Sequence, residues 1–420
     1  MKRRQAYFVA LPMLCPLFIN DICRPDGGGS LQQRYASFFK TIPIRDIFWL
    51  FLITRLALVA ITYIAYTLFT VPAQTSAPVD SIALLTSWNR WDALNYVRIA
   101  QYGYEQRVDL AFFPLFPLLI GGIGRVLGDW SYLTVGMFIS NAALFGAMVL
   151  TYRLAYDAFG DEVARRTLLY WCIFPTAFFF FSAYNESLLL LWVTGAFLAM
   201  QRQRWWLAGL LGLLASLTRV TGILLIVPYL WELWSARAQL LASRKRALLA
   251  VAPIVLIPAG MLMYCLYCWY TVGDFLAFVH VQQHSGRYLS LPWMGIWQAI
   301  SALFLYQPQP FGSANQAHLL LDLSATLGFI ALVIAGWQRL RISYTLWLAC
   351  FLVYILLYPA LDKPDILLSN QRFVLEMFPA FFTLAALSLP RPRLHQSLIL
   401  LFLALQAVLG IAFLMNRWIV

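Results

Sequence analysis

Charge is what this chain has least of. Asp, Glu, Lys and Arg make up only 11% of its 420 residues, whereas 62% are hydrophobic. That balance, with a mean hydropathy of +0.73, excludes a soluble globular domain, in which about a quarter of the residues are charged. No polar stretch is long enough to make a separate soluble domain either. The six cysteines do not form a disulfide framework, because Cys172, Cys265, Cys268 and Cys350 lie inside apolar segments where a thiol acts as a small hydrophobe. Cys265 and Cys268 spell CxxC within MLMYCLYCWY but have no second Cys/His pair beside them. Histidine occurs four times. His280 and His284 would share one helical face, but no third ligand stands at a recognisable spacing, so neither a metal nor another cofactor is expected.

What is there is a succession of apolar runs. A span needs about 20 mostly apolar residues, and such segments recur from residue 46 to the end. The expectation is an all-α polytopic membrane protein with one integrated domain over 46–420. Spans are predicted at 46–70, 131–152, 167–182, 185–201, 205–218, 221–235, 247–270, 316–337, 342–361, 373–389 and 394–415, eleven in all. Residues 1–45 read as a poorly ordered cytoplasmic extension: MKRR, an apolar run from Tyr7 to Ile19 interrupted by Pro12 and Pro16, then RPDGGGS.

The net charge of +12 does not point to nucleic acid, since its carriers sit in short clusters at the ends of apolar segments. Lys40/Arg45, Arg153 with Arg165/Arg166, Arg202/Arg204, Arg237 with Arg244/Lys245/Arg246, Arg339/Arg341 and Arg391/Arg393 all fall on one side if Ala111–Leu127 does not cross. Its prolines and glycines suit a re-entrant or interfacial segment. The positive-inside rule makes the shared side cytoplasmic. The outer side then receives a long first loop with interfacial helices (71–130), the AYNES turn, a second long loop (271–315) and DKPDILLSNQR.

Nearly every charge that topology leaves unexplained is on that outer side, which implies a polar site there. Asp92 follows Asn89 by three residues, a spacing that also suits a helix cap, while Trp88 and Trp91 suit the membrane interface. A carboxylate on an interfacial helix is placed to take a proton from a hydroxyl, with Glu105, Asp109 and Glu186 next in line. Glu186 begins an apolar helix, which is costly without a partner. Arg219 in LTRVTG and Arg372 in SNQRFVLEMFP face the outer leaflet and suit the phosphate of an anionic lipid, snorkelling being the alternative for Arg219.

WNRWDALNYVRIAQYGY followed by LAFFPLFPLL resembles the first lumenal loop of the PIG-V family of mannosyltransferases. FPTAFFFFSAYNESL, LTRVTG, GDFLAFVHVQQHSGR and SNQRFVLEMFP are similar to later blocks of that family, in the same order, over residues 46–389. The resemblance implies a GT-C glycosyltransferase that inverts the sugar's configuration and uses a polyprenyl-phosphate-mannose donor. Its essential acid in the first outer loop maps onto Asp92. On that reading Arg219, Arg372 and Arg287 hold the donor phosphate, with Glu186 beside them, and Trp91, Tyr96, Tyr104 and Tyr184 line the sugar site. The acceptor, whether glycan, lipid or protein, stays open. The alternatives are a GT-C enzyme for another lipid-linked sugar and a transporter or flippase of such lipids. A bacterial plasma membrane with an outward-facing site is the expected location, the endoplasmic reticulum with a lumenal site the alternative.

Overall fold

The computed structural model describes residues 42–70, 80–128, 131–284, 286–305 and 309–417. Most of the expected N-terminal extension therefore lies outside the described residues, as does the side chain of His284. Every regular element among the described residues is helical.

The first helix, α1 (Ile44–Phe69), starts behind Pro43 and runs 26 residues without Pro or Gly, long enough to cross a bilayer. Three shorter helices follow before the next long one: α2 (Ser81–Thr86), α3 (Asp92–Tyr102) and α4 (Leu115–Leu127). At 13 residues, or about 20 Å, α4 is too short for an upright span, and with α3 it fills the long first loop. The 28-residue helix α5 (Tyr132–Phe159) is the most enclosed of the long helices, and α6 (Asp161–Ile173) packs back against it.

Beyond these, α7 (Glu186–Gln201), α8 (Trp205–Thr218), α9 (Val220–Ser235) and α10 (Arg244–Val272) continue the bundle. The second long loop carries α11 (Ala277–His284) and α12 (Met294–Leu305). Then come α13 (Ala314–Gly336), α14 (Ile342–Leu357), the single turn α15 (Asn370–Phe373), α16 (Phe378–Ser388) and α17 (Pro392–Leu414).

Five of these helices, α1, α5, α10, α13 and α17, are long and apolar enough to cross a membrane by themselves, and seven more are shorter apolar helices. The chain is an integral membrane protein, but the eleven expected spans are not eleven straight helices. The segment read as 167–182 ends at Ile173, because Pro175 cannot continue the helix and disfavours helical geometry at Phe174. Likewise 373–389 begins as a long α-helix only at Phe378, with Pro379 in its first turn, after a 3₁₀ turn at Val374–Glu376. Sequence hydropathy runs through both breaks because apolar residues stand on either side, with only Glu376 intervening at the second.

The two ends of the bundle differ in chemistry. At one end, Arg165 bridges Asp46 at the start of α1 and Asp161 at the start of α6, while Arg153 pairs with Asp157 near the end of α5. These are partly exposed pairs of the kind that contribute little individually. The opposite end holds the polar residues of the first loop and of the AYNES, LTRVTG and SNQRF segments.

Candidate active site

The turn before α3 is fixed by the aromatic segment that precedes α7. Trp88 is buried, packs edge-on against Phe181 at 4.8 Å and donates its indole N–H to Thr62 on α1 (3.1 Å). It is thus a core residue and not the interfacial anchor that its neighbourhood suggested. The Ser182 hydroxyl donates to the Trp88 carbonyl at 3.0 Å and the Tyr184 hydroxyl to the Arg90 carbonyl at 3.3 Å. Trp91 then adopts φ +52°, a left-handed conformation uncommon for a bulky residue, and the chain enters α3 with Asp92 as its first residue.

Neither Asn89 nor Trp91 caps this helix with a side chain. The Asp92 carboxylate instead accepts from Arg372 Nη1 at 2.7 Å, across 280 residues of sequence. The capping alternative for the N-x-x-D spacing is therefore not realised: the pair is tertiary.

Arg372 is one end of a chain of ion pairs. Its Nε lies 3.5 Å from Glu186. Glu186 accepts from Arg219 at 2.8 Å, and Arg219 lies 3.0 Å from Glu376, whose other oxygen takes the Thr221 hydroxyl at 3.0 Å. Asn185 joins the network by donating to the Thr218 carbonyl and accepting from Arg219. Local geometry brings Arg219 inward: α8 ends there in extended conformation, and Gly222 lets the chain turn directly against Ala215, whose backbone a Cβ would strike. Glu376 was not singled out from the sequence. The argument applied to Glu186, that a carboxylate at the edge of an apolar run needs a partner, applies to it equally.

Three guanidinium groups surround one ring. Arg219, Arg287 and Arg372 stand 4.9, 5.1 and 5.3 Å from the centroid of Phe373, distances at which a cation is attracted to the ring face. Their electrostatics differ. Burial opposes the charge of Arg219, but Glu376 and Glu186 more than offset it and its pKa stands above the ordinary value. For Arg372, Asp92 and Glu186 outweigh burial in the same way. Arg287 goes the other way: burial pushes its pKa down, with Arg372 and Arg219 adding like-charge repulsion. Among the described residues no carboxylate lies within ion-pair distance of Arg287, which donates to the Leu368 carbonyl at 2.7 Å. It is the cation of the group that an incoming anion would relieve.

The three carboxylates differ as sharply. The side chain of Asp92 is 31% exposed, whereas those of Glu186 and Glu376 are 1% and 0% exposed. Asp109 is also fully buried, held by Arg98 and by the backbone N–H of Gln106. Of the acids considered for proton transfer, Glu186 and Asp109 are thus closed off by their partners. His280 pairs with Asp274 at 2.8 Å, in a surface cluster that Arg107 completes at 3.0 Å. No group of three His, Cys, Asp or Glu side chains suited to a metal occurs among the described residues.

Two cavities lie along this part of the chain, one at the turn before α3 and one at the far end of α3. One, of about 440 Å³, is an apolar groove between α3, α4, α8 and α10, lined by Ile99, Gly103, Leu118, Gly122, Leu217 and Met263 among others. Asp92, Tyr96, Ile99 and Gly103 lie on one face of α3, so the groove opens about 10 Å along the helix from the carboxylate. Gly121 lets α4 approach α3, since a Cβ there would lie 2.8 Å from the Ala100 carbonyl oxygen. A Cβ on neighbouring Gly122 would meet nothing within 4 Å. The other cavity, of about 490 Å³, carries Thr62, Tyr66, Thr86, Ser87, Asn89 and Arg90 on its walls.

The aromatic residues divide accordingly. Tyr184 is buried with Arg372 5.5 Å from its ring centroid, and Tyr96 packs edge-on between Phe112 and Phe116. Tyr104 is elsewhere: it donates to the Phe112 carbonyl and lines the groove beside Tyr264 and Tyr267. It belongs to the apolar cavity and not to a sugar site around Asp92.

Against known proteins, the family described as Mannosyltransferase (PIG-V) matches residues 34–283. The GPI alpha-1,6-mannosyltransferase 2 of Rattus norvegicus is 30% identical over 159 residues, 35% of this chain and 32% of the rat protein. That of Mus musculus is 31% identical over 150 residues, 33% of this chain and 30% of its own length. The matched part thus spans about a third of these relatives. Among solved structures, ArnT from Cupriavidus metallidurans bound to undecaprenyl phosphate is similar at a TM-score of 0.45 and 14% identity, over 82% of this chain and 61% of that one. The family match contains Asp92, Glu186 and Arg219, and the fold brings Arg287, Arg372 and Glu376 to them from beyond its end. With more than half of its residues matched, the chain belongs to the PIG-V mannosyltransferase family.

Proposed function

We propose that this protein is a GT-C glycosyltransferase that moves mannose, with inversion, from a polyprenyl-phosphate-mannose donor to an acceptor on the periplasmic or lumenal side of its membrane. The observation that carries this reading is the unequal exposure of the clustered carboxylates: Asp92 alone of the three remains open while held by an arginine. Such a carboxylate is oriented and still reachable.

In this mechanism the acceptor hydroxyl gives its proton to Asp92 as its oxygen attacks the anomeric carbon. The bond from that carbon to the phosphate oxygen breaks on the opposite face, through an oxocarbenium-like transition state, and one displacement inverts the anomer. The leaving group departs as polyprenyl phosphate and needs no general acid. Arg287 takes the developing phosphate charge. Arg372 keeps Asp92 aimed, and Arg219 holds Glu186 and Glu376 behind it. This division revises the expectation that Arg219 and Arg372 bind phosphate first, because both are already paired. The prenyl chain would lie in the apolar groove along α3, and the hydroxyl-lined cavity on the other side of the turn suits a polyhydroxylated acceptor. A bacterial plasma membrane is the proposed location.

The test offers purified protein a set of polyprenyl-phosphate sugars with a lipid extract as acceptor source and follows release of polyprenyl phosphate. Consumption of the mannosyl donor, with opposite anomeric configuration in donor and product, is the expected result. Release from a different sugar donor would reassign the substrate. Translocation of intact donor without release would favour a flippase.

A further inference from the structure

We propose that Asp322, in the middle of a membrane helix, is a positioning residue that fixes Arg372 and through it Asp92; this rests on the function proposed above. Asp322 lies nine residues into α13 and is fully buried. An ionisable side chain at such depth is costly and is kept where it has a defined partner. Its partner is the turn that carries Arg372: Asp322 Oδ1 accepts the backbone N–H of Gln371 at 2.7 Å.

The same turn is held at three further points. Thr326, one helical turn along α13, accepts from the side-chain amide of Asn370 at 3.0 Å. The Thr176 hydroxyl donates to the Gln371 carbonyl at 2.7 Å, so both sides of that residue's backbone are engaged. Arg287 holds the Leu368 carbonyl. The grip matters because α15 is only four residues long and opens on Ser369 at φ +68°. One turn has little stability of its own, and a non-glycine residue at positive φ persists only where its surroundings impose it. Arg372 reaches Asp92 from this turn, so Asp322 determines where the arginine starts. Asparagine at 322 would still accept the Gln371 N–H through its carbonyl oxygen. Leucine would not.

The experiment compares Asp322→Asn and Asp322→Leu in the full-length protein by amide hydrogen exchange over residues 369–376 and by donor kinetics. Asp322→Leu should expose the Gln371 amide to exchange and lower kcat by roughly 10- to 100-fold, with the donor KM within about 3-fold of wild type. Asp322→Asn should restore both protection and kcat. In an Arg372→Lys background the Asp322→Leu loss should shrink, since residues acting through one contact are not additive. Unchanged exchange in Asp322→Leu, an Asn variant as impaired as the Leu variant, or equal losses in the two backgrounds would each overturn the proposal. Should Asp322→Leu not fold, Thr326→Val removes the adjacent clamp with a side chain of the same shape and should give the same signature in weaker form; unchanged exchange there would count against the proposal. If wild-type protein transferred no sugar, the proposed function would fall, while the exchange data would still report whether Asp322 holds the turn.

Discussion

The first long loop contains two aspartates paired with arginines, 17 residues apart, and they have been put to different uses. Asp109 is sealed under Arg98 and ties off a backbone amide within its own loop. Asp92 reaches a residue 280 positions away and keeps about a third of its side chain exposed. Pair chemistry is the same in both; what differs is whether the carboxylate retains an open face. A pair closed on every side contributes to the fold. One that keeps an exposed face, beside a half-buried cation without a carboxylate, has the makings of a reaction centre.

The largest effect expected from breaking this comparison is a contrast in kind. Asp92→Asn should lower transfer by roughly 1,000-fold or more, on the scale of losing a general base and the charge that orients it, with a melting temperature close to that of wild type. Asp109→Asn should do the reverse. It leaves Arg98 partly buried without its counter-charge, which costs about 2–3 kcal/mol after allowing for the exposure of Arg98, while activity per folded molecule stays near wild type. Thermal unfolding in detergent together with initial rates separates the two.

Arg287→Ala comes next. Its guanidinium is the one proposed to meet the leaving phosphate, so kcat should fall by roughly 10- to 100-fold, whereas Arg287→Lys should recover part of the loss by returning the charge without the planar fork. Smaller and more selective is Gly122→Phe, at a groove-lining position where an added Cβ meets nothing within 4 Å. The KM for a long-chain donor should rise by roughly 10-fold, with a donor of one or two prenyl units unaffected; equal effects on both would remove the groove from the account. Smallest is Asp274→Asn. The Asp274 carboxyl is held below its ordinary range by His280, helped by the Leu276 N–H and by Arg107. Its contribution is therefore present at neutral pH and fades only as pH falls through the carboxylate range. For a surface cluster this is worth less than about 0.5 kcal/mol, which denaturation at pH 7 and pH 4 would check.

Part of the site was legible because the membrane makes charge expensive. Glu186, Arg219 and Arg372 each interrupt an apolar run at the end of a helix, and the structure joins all three to Asp92. The same reasoning stopped short at Glu376 and Asp322, whose partners come from helices far away in the chain. It also overvalued aromatic residues: Trp88 and Tyr104 have the composition of an interface belt, but their polar atoms are satisfied inside, by Thr62 and the Phe112 carbonyl. Nor does sequence show that Asp92 is open while Asp109 is sealed, because exposure is a property of packing. For the fold, the helical membrane architecture followed from hydropathy, whereas the helix end at Ile173 and the helix start at Phe378 depended on prolines inside segments that hydropathy reads as single spans.

The most direct measurement is transfer of radiolabelled mannose from polyprenyl-phosphate-mannose into total lipid and protein acceptors, in membranes holding equal amounts of wild type, Asp92→Asn or Asp109→Asn. Incorporation by wild type and Asp109→Asn but not by Asp92→Asn is the predicted outcome. Equal incorporation by the two aspartate variants would contradict the assignment of the open carboxylate as the base.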